Sequence, residues 1–182
     1  FNGFFNGIWK VGGILKVSEI TTTTVASYLR LDDATDPLLT PILIVAKKFI
    51  EGYTNIYDQD ITDTYTANGV TNGFKASMYP FVASTLVVKV NGVTKTLTTD
   101  YTVDAIKGIV TFVAIPSEND EITIAYTFGM DAFEEFWLVV MILCQDMYDN
   151  RTLVVDNTNM NRTVETILNL HRRNMLPSVD EV

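Results

Sequence analysis

The residues with the clearest chemical potential in this 182-residue sequence are one histidine, one cysteine and three acidic clusters. The clusters are Asp32-Asp33-Asp36, Asp58-Asp60-Asp63 and Asp156-Asn157-Thr158-Asn159. Closely spaced carboxylates offer oxygens to a calcium ion, but a calcium loop also needs a central glycine and a terminal glutamate. The first two clusters have neither, and the twelfth position counted from Asp156 is Ile167. Short Asp and Asn side chains also bond to neighbouring backbone, so turn formation and helix capping are the expected use of all three. His171 lies on the apolar face of a predicted helix with no Ser or Cys elbow beside it, which fits a packed or interface histidine better than a general base. Cys144 lies on an apolar stripe, where a buried, inert thiol is expected, and a single cysteine forms no internal disulfide. No phosphate-cradling loop, histidine-carboxylate triad or thiolate cluster is recognisable. The expectation is a protein that is not an enzyme and has no cofactor and no metal site.

Cys144, the Asp156 cluster and His171 belong to two helical patterns joined by an Asn-rich elbow, over 131–174. In the first, Phe133, Phe136, Trp137, Val140, Met141, Cys144, Met147 and Tyr148 recur at three- and four-residue spacing, predicting one buried stripe. Asp131 is the predicted N-cap, with Glu134 at the capping-box position. The elbow carries Asp149, Asn150, Asp156, Asn157, Asn159 and Asn161 and reads as a structured connection. Thr163 or Asn161 caps the second helix, whose face is Val164, Ile167, Leu168 and His171. Arg172 and Arg173 close it, cations at the negative end of the helix dipole.

Nearer the N-terminus, Ser18 or Thr21 caps a short helix through Leu29, with Val25, Tyr28 and Leu29 as inward candidates. Asp36-Pro37 matches an N-cap followed by proline at the first helical position. Pro41 then implies either that the regular helix starts at Thr40-Pro41 or that its first turn is distorted. Ile42, Leu43, Ala46, Phe49, Ile50 and Tyr53 form the predicted buried stripe of that helix, with Gly52 at its fraying end. Before all this, residues 1–15 have four glycines and no clear element. They are either an aromatic arm, with Phe1, Phe4, Phe5, Ile8 and Trp9 docking on a neighbouring subunit, or a remnant of upstream translation.

Between the helical blocks the period changes from helical to alternating. Strands are predicted over 63–67, 85–90, 93–98, 101–103, 108–113 and 121–127. Asn91-Gly92 is the strongest hairpin signal, because a tight primed turn needs positive φ at both central residues. Asn68-Gly69, Asn72-Gly73 and Lys107-Gly108 mark further turns, and 116–120 a polar loop. The predicted fold is therefore α+β: a small antiparallel bundle of about four helices with an inserted all-β domain, sandwich- or barrel-like. The helical core comprises 16–57 and 129–176, the insert 58–128, and the tail 177–182. An insert of this kind leaves and re-enters its host at nearby points without rerouting it.

Composition limits the partners. An apolar content of 47% supports one sizeable core or two small ones. A formal charge of −9 and a pI near 4.5 argue against a protein whose task is gripping phosphates. No membrane-spanning helix is expected, since the best apolar run, 136–144, is too short. The sequons at Asn150 and Asn161 carry no weight without a secretion signal. Arg151, Arg162, Arg172 and Arg173, four of the five arginines, fall in the last quarter among Asp149, Asp156 and Glu165, which suggests salt bridges within or between subunits.

Two blocks of sequence, YLRLDDATDPLLTPILIVAKKFIEGYT and MYDNRTLVVDNTNMNRTVETILNLHRRN, resemble in kind and in order the head-tail connector proteins of tailed bacteriophages, also called adaptor, head completion or DNA packaging proteins. The similarity covers 16–54 and 130–174, about half of the chain. The pattern VKVNGV…DYTVD…GIVTF…P…DEITIAYT is similar to a small β-module of phage structural proteins. The resemblance implies a homo-oligomeric ring, commonly dodecameric, under the portal protein. Such a ring extends the DNA channel, offers a docking surface to tail or stopper proteins after packaging, and serves genome ejection. It implies assembly in the host bacterial cytoplasm and residence at the head-tail interface of the virion. Double-stranded DNA would pass through without specific binding, past an acidic wall. On this view Tyr148, Asn150, Arg151, Asp156, Asn157, Asn159, Arg162, Arg172 and Arg173 form the subunit or portal interface, with Arg151 and Asn157 foremost. Residues 177–182 would be the family's portal-docking segment, and the β insert would contact capsid, portal or the next tail protein. The alternative is a virion decoration or binding protein whose β insert contacts capsid, tail or a glycan.

Overall fold

The computed structural model describes residues 15–150 and 161–173. It is an α+β structure that divides into two compact units, one of Phe1–Ile56 with Glu134–Val182 and one of Tyr57–Phe133.

The first unit is helical. Its α1 is Thr22–Leu29, and Thr21 is the N-cap, its hydroxyl accepting from the Thr24 N–H. Val25 and Ala26 are buried, whereas Tyr28 and Leu29 are only partly so. Arg30 ends the helix in the left-handed conformation.

Helix α2 is Leu39–Thr54. Asp36 does not cap it directly: its Oδ1 accepts from the Leu38 N–H at 2.9 Å and its carbonyl from the Leu39 N–H at 3.1 Å, forming a turn that leads into the helix. Pro41 is then the third helical residue, within the first turn where no N–H is required, and the start is undistorted by it. The buried stripe is Leu39, Leu43, Ala46, Ile50 and Thr54, so Phe49 lies outside it, 37% exposed. Gly52 is inside the helix, and the end is set by Asn55, left-handed at φ 58°.

Helix α3, Phe136–Asp149, is the centre of the unit and packs against α1, α2 and α4 (Arg162–His171). Val139 and Leu143 join Phe136, Val140, Met141 and Cys144 in burial, so the predicted single stripe is in fact burial on several faces. A helix surrounded by partners needs apolar residues beyond one stripe. The predicted Asp131 capping box is absent. Residues Met130–Ala132 form a 3-10 turn and α3 begins five residues after Asp131 (136 − 131), with Glu135 as an N-cap whose side chain makes no cap bond. Phe133 belongs to the β unit, where its ring packs edge-on to Phe128, so this stretch is held outside the helix. Asn161 caps α4, its side chain accepting from the Thr163 N–H at 2.9 Å.

The second unit contains two antiparallel sheets. One has the order β1-β7-β3-β4, with β1 Gln59–Thr66, β7 Glu121–Phe128, β3 Val87–Val90 and β4 Val93–Thr94. The other is β2-β6-β5, with β2 Gly73–Lys75, β6 Ile109–Phe112 and β5 Tyr101–Asp104. Strand β7 alternates strictly, burying Ile122, Ile124, Tyr126 and Phe128. Phe74, Tyr101, Val110 and Phe112 are the buried residues of the smaller sheet, and the Tyr65 and Phe74 rings bring the two sheets into contact at 5.6 Å. This is a sandwich-like arrangement.

Strands β1 and β4 differ most from the sequence pattern, each by four residues at one end. Strand β1 starts at Gln59 because it pairs along its whole length with β7. Strand β4 stops at Thr94, since Thr96 N–H turns to the Asp100 carboxylate and Thr98 has φ 71°. Strand β2 was not expected: it is three residues long and its Asn72-Gly73 start resembles a turn. Asn91 and Gly92 have φ 49° and 77°, the expected primed hairpin turn. Asn91 also donates to Asp120 and accepts from the Glu121 N–H, tying the hairpin to the polar loop before β7. Among the described residues no helix is long and apolar enough to cross a membrane.

Candidate subunit and portal interface

The acidic clusters act as backbone and side-chain acceptors. Asp33 accepts from both the hydroxyl and the N–H of Thr35, and the hydroxyl bond foremost holds its carboxyl below the usual range. Asp58 accepts from the Met130 N–H, Asp60 from the Thr127 hydroxyl, and Asp63 from the Ser77 N–H and the Tyr126 hydroxyl. These three carboxylates lie on or beside β1 and bond in different directions, which separates rather than converges them. The Asp156 cluster lies outside the described residues, as do Arg151, Asp156, Asn157 and Asn159 of the predicted interface.

The remaining predicted residues occupy three places. Tyr148 and Asn150 are at the C-terminal end of α3. The Tyr148 hydroxyl donates to Asp36 Oδ2 at 2.8 Å, joining the end of α3 to the turn before α2. Asn150 ends α3, its N–H donating to the Asp146 carbonyl and its amide to the Asp146 carboxylate. Two clefts meet at this point and share Leu31 and Tyr148. One, of about 470 Å³, extends along Arg30, Gln145 and Asp149, and the other, of about 450 Å³, extends along Asp32, Asp33 and Pro37.

Arg162 opens α4 and is exposed. Arg172 and Arg173 follow the other end of that ten-residue helix, about 15 Å away at 1.5 Å per residue. Among the described residues, Arg162 therefore forms no single patch with Arg172 and Arg173. Arg172 stacks its guanidinium on Tyr53, 5.5 Å from the ring centroid, and the Arg173 N–H donates to the Thr54 carbonyl at 2.8 Å. The Asn55 amide donates to the Arg173 carbonyl and the Tyr53 hydroxyl to Asn169. These bonds fasten the end of α4 to the end of α2.

His171 takes part in the same fastening. Its Nε2 bonds to Glu135 and its ring stands edge-on to Phe136, 5.4 Å between centroids, so it is a packed residue at the α3–α4 contact. Cys144 is fully buried, and burial pushes its thiol up to about 11, which suppresses the nucleophilic thiolate. Among the described residues no group of three or more His, Cys, Asp or Glu side chains is close enough to hold a metal ion.

Sequence reasoning missed the outer face of α2, where Ile44 is 56% and Val45 52% exposed beside Phe49. The signal was available in TPILIVAKKFIEGY, whose apolar residues run round the whole helix and exceed one stripe.

No family model matches the sequence, and no curated protein does. Among solved structures, the fold aligns with a chain described as the neck of an empty gene transfer agent (GTA) particle computed with C6 symmetry. That alignment has 16% identity and a TM-score of 0.45 over 93% of this chain and 97% of the other. A chain from the virion of a native GTA particle aligns at 17% identity and a TM-score of 0.44, with the same coverage. Alignments at this level define neither a shared family nor a shared function, and the functional argument rests on the residues of the chain.

Proposed function

We propose that this protein is a structural, non-enzymatic ring subunit of a phage-like virion, a head-tail connector that binds beneath the portal and extends the DNA channel towards the tail. The observation that carries this reading is the way the two connector-like sequence blocks meet. The blocks are separated by the whole β unit, yet they fold together as one helical unit. They are joined by the bonds from Tyr148 to Asp36 and from the Arg173 N–H to the Thr54 carbonyl. A connector core interrupted by an accessory β domain would be built in this way. The exposed apolar face of α2 supplies the kind of surface that side-by-side subunits bury.

In this reading Tyr148 and Asn150, with Arg151, Asp156, Asn157 and Asn159 beyond them, form a contact with the next subunit or the portal, and Arg162, Arg172 and Arg173 contribute ion pairs. Residues 177–182 would reach the portal, and the β unit would meet capsid, portal or tail proteins. The acidic chain would line a channel that repels phosphate, letting double-stranded DNA pass without being held. The ring would be dodecameric, assembled in the bacterial cytoplasm and retained in the virion.

The test is to mix the purified chain with portal rings and image the mixture by electron microscopy. A ring stacked on one end of the portal is the expected result; monomers beside bare portals would overturn it. A second reading, a decoration or binding protein acting through the β unit, is favoured by the exposed Val70, Ile106, Val113 and Ile115. Replacing 58–128 by a short linker separates the two readings, because a connector would still join portal rings and a decoration protein would lose its partner.

A further inference from the structure

The larger sheet of the β unit ends in two unequal edges, β4 and β1. The β4 edge is closed: the strand has two residues, and the Thr96 N–H beyond it is taken by the Asp100 carboxylate at 2.7 Å. Strand β1 is eight residues long, contains no proline or lysine, and pairs without a bulge from Gln59 opposite Phe128 to Thr66 opposite Glu121. Proline, lysine, a bulge or a short strand ordinarily protects a sheet edge, and β1 has none of them.

The direction of its backbone groups follows from β7. The Glu121 carbonyl accepts from the Asn91 N–H and the Thr127 carbonyl from the Val82 N–H, so the odd-numbered residues of β7 turn their backbone towards the β3 side. The even-numbered residues, Ile122 to Phe128, therefore bond to β1 through their register partners Tyr65, Asp63, Ile61 and Gln59. The alternate residues Asp60, Thr62, Thr64 and Thr66 direct their N–H and C=O groups away from β7, and all four are exposed. Among the described residues nothing bonds to these groups. The chain after β2 reaches only side chains of the strand, the Tyr65 hydroxyl donating to the Lys75 carbonyl and Asp63 accepting from the Ser77 N–H.

We propose that the outer edge of β1 is a docking site for one extended strand of another protein, which carries Lys or Arg among β-branched residues and extends the sheet by backbone hydrogen bonds. A row of alternating donors and acceptors about 27 Å long fits an extended backbone and no compact ligand. Charge selects the strand. Strand β1 has two aspartates and no cation, and whereas Asp63 is bonded to both Ser77 and Tyr126, Asp60 is exposed and accepts only from the Thr127 hydroxyl. A cation opposite Asp60 and β-branched residues opposite the threonines make the favourable cross-strand pairs. A second copy fits less well. Pairing β1 with itself sets acidic strands side by side, and the closed β4 edge prevents copies from joining edge to edge around a ring. This edge belongs to the β unit alone, so it goes beyond the connector reading, and a chain that failed to join portal rings would still take the strand.

The experiment uses the full chain, isotopically labelled for NMR, and the acetylated and amidated peptide Thr-Lys-Val-Thr-Val-Lys-Val-Thr, which sets lysines and threonines on one face and valines on the other. In the free chain, amide exchange should be fast at Thr62 and Thr64 and slow at Ile61 and Asp63, and saturating peptide should slow the first pair about tenfold. Thr64→Pro removes an N–H that β7 does not use, so the melting temperature should hold while peptide affinity falls about tenfold, and Thr64→Ala should retain binding. Asp60→Lys should reverse the preference between this peptide and its counterpart with glutamates in place of the lysines. Unchanged exchange at Thr62 and Thr64 with peptide present overturns the proposal. So does binding that Thr64→Pro leaves intact, or binding of the glutamate peptide to the unaltered chain as tight as that of the lysine peptide. Protection of Thr62 and Thr64 in the free chain that is lost on dilution also overturns it and assigns the edge to a second copy.

Discussion

The Tyr148 hydroxyl, at the end of α3, donates to Asp36 in the turn before α2 across 112 residues of sequence. The same carboxylate accepts from the Leu38 N–H through its other oxygen, so one side chain sets the entry to α2 and holds the exit of α3. Charge-assisted bonds of this kind contribute more than neutral ones.

Tyr148→Phe should therefore lower the stability of the helical unit by about 1–2 kcal/mol, and Asp36→Ala by more, since it also frees the Leu38 N–H. Urea unfolding of both single variants and the double variant measures the coupling. Strictly additive losses would show that the bond contributes nothing.

Glycine substitutions should separate conformational cost from crowding. Gly92 has φ 77° with open space around it, so Gly92→Ala should cost only the left-handed penalty, about 1 kcal/mol. Gly108 has φ 71° and an added Cβ would stand 2.7 Å from Cβ of Tyr79, so Gly108→Ala should cost roughly 2–4 kcal/mol. Chemical denaturation that ranks the two variants equally would contradict the packing described for the β unit.

The buried thiol of Cys144 makes stability depend on pH in the alkaline range. Its folded value, about 11, lies above the ordinary value of 9.0, so the folded state holds the proton more tightly. The corresponding stability is present below pH 9 and is lost as pH rises towards 11. Cys144→Ala should be less stable at neutral pH because of the cavity, by about 1 kcal/mol, and should show a shallower decline between pH 9 and 11. Parallel declines for the two proteins would count against a buried neutral thiol.

His171 should behave as a packing residue. His171→Phe keeps an aromatic ring against Phe136 but loses Glu135, whereas His171→Ala loses both contacts. The expected losses are about 1 and about 2 kcal/mol respectively, read from thermal or urea unfolding. A variant at this position that leaves stability unchanged would show that α4 is not fastened through His171.

Much of the architecture was legible without coordinates. The Asn91-Gly92 turn, the Thr21 and Asn161 caps, each one of two candidates in the sequence, the alternation of β7 and the change of period between helical and β blocks depend on neighbours a few residues apart, and local sequence carries that information. The inert Cys144 and the packed His171 were likewise inferable, because an apolar face at helical spacing predicts burial wherever the partner lies. What required the folded chain were features set by residues far apart. Phe133 packs on Phe128 and delays α3 to Phe136, overriding a good capping box at Asp131. Tyr148 finds Asp36, and Arg173 finds Thr54, across more than 100 residues. Arg162 lies at one end of α4 and Arg172 and Arg173 at the other, because helical rise separates residues that a linear sequence sets near each other. The predicted stripe of α2 was right at Leu43, Ala46 and Ile50 but included Phe49, whereas packing buries Leu39 and Thr54 and leaves Phe49 37% exposed, since a helix apolar on both sides carries no internal mark of its partner.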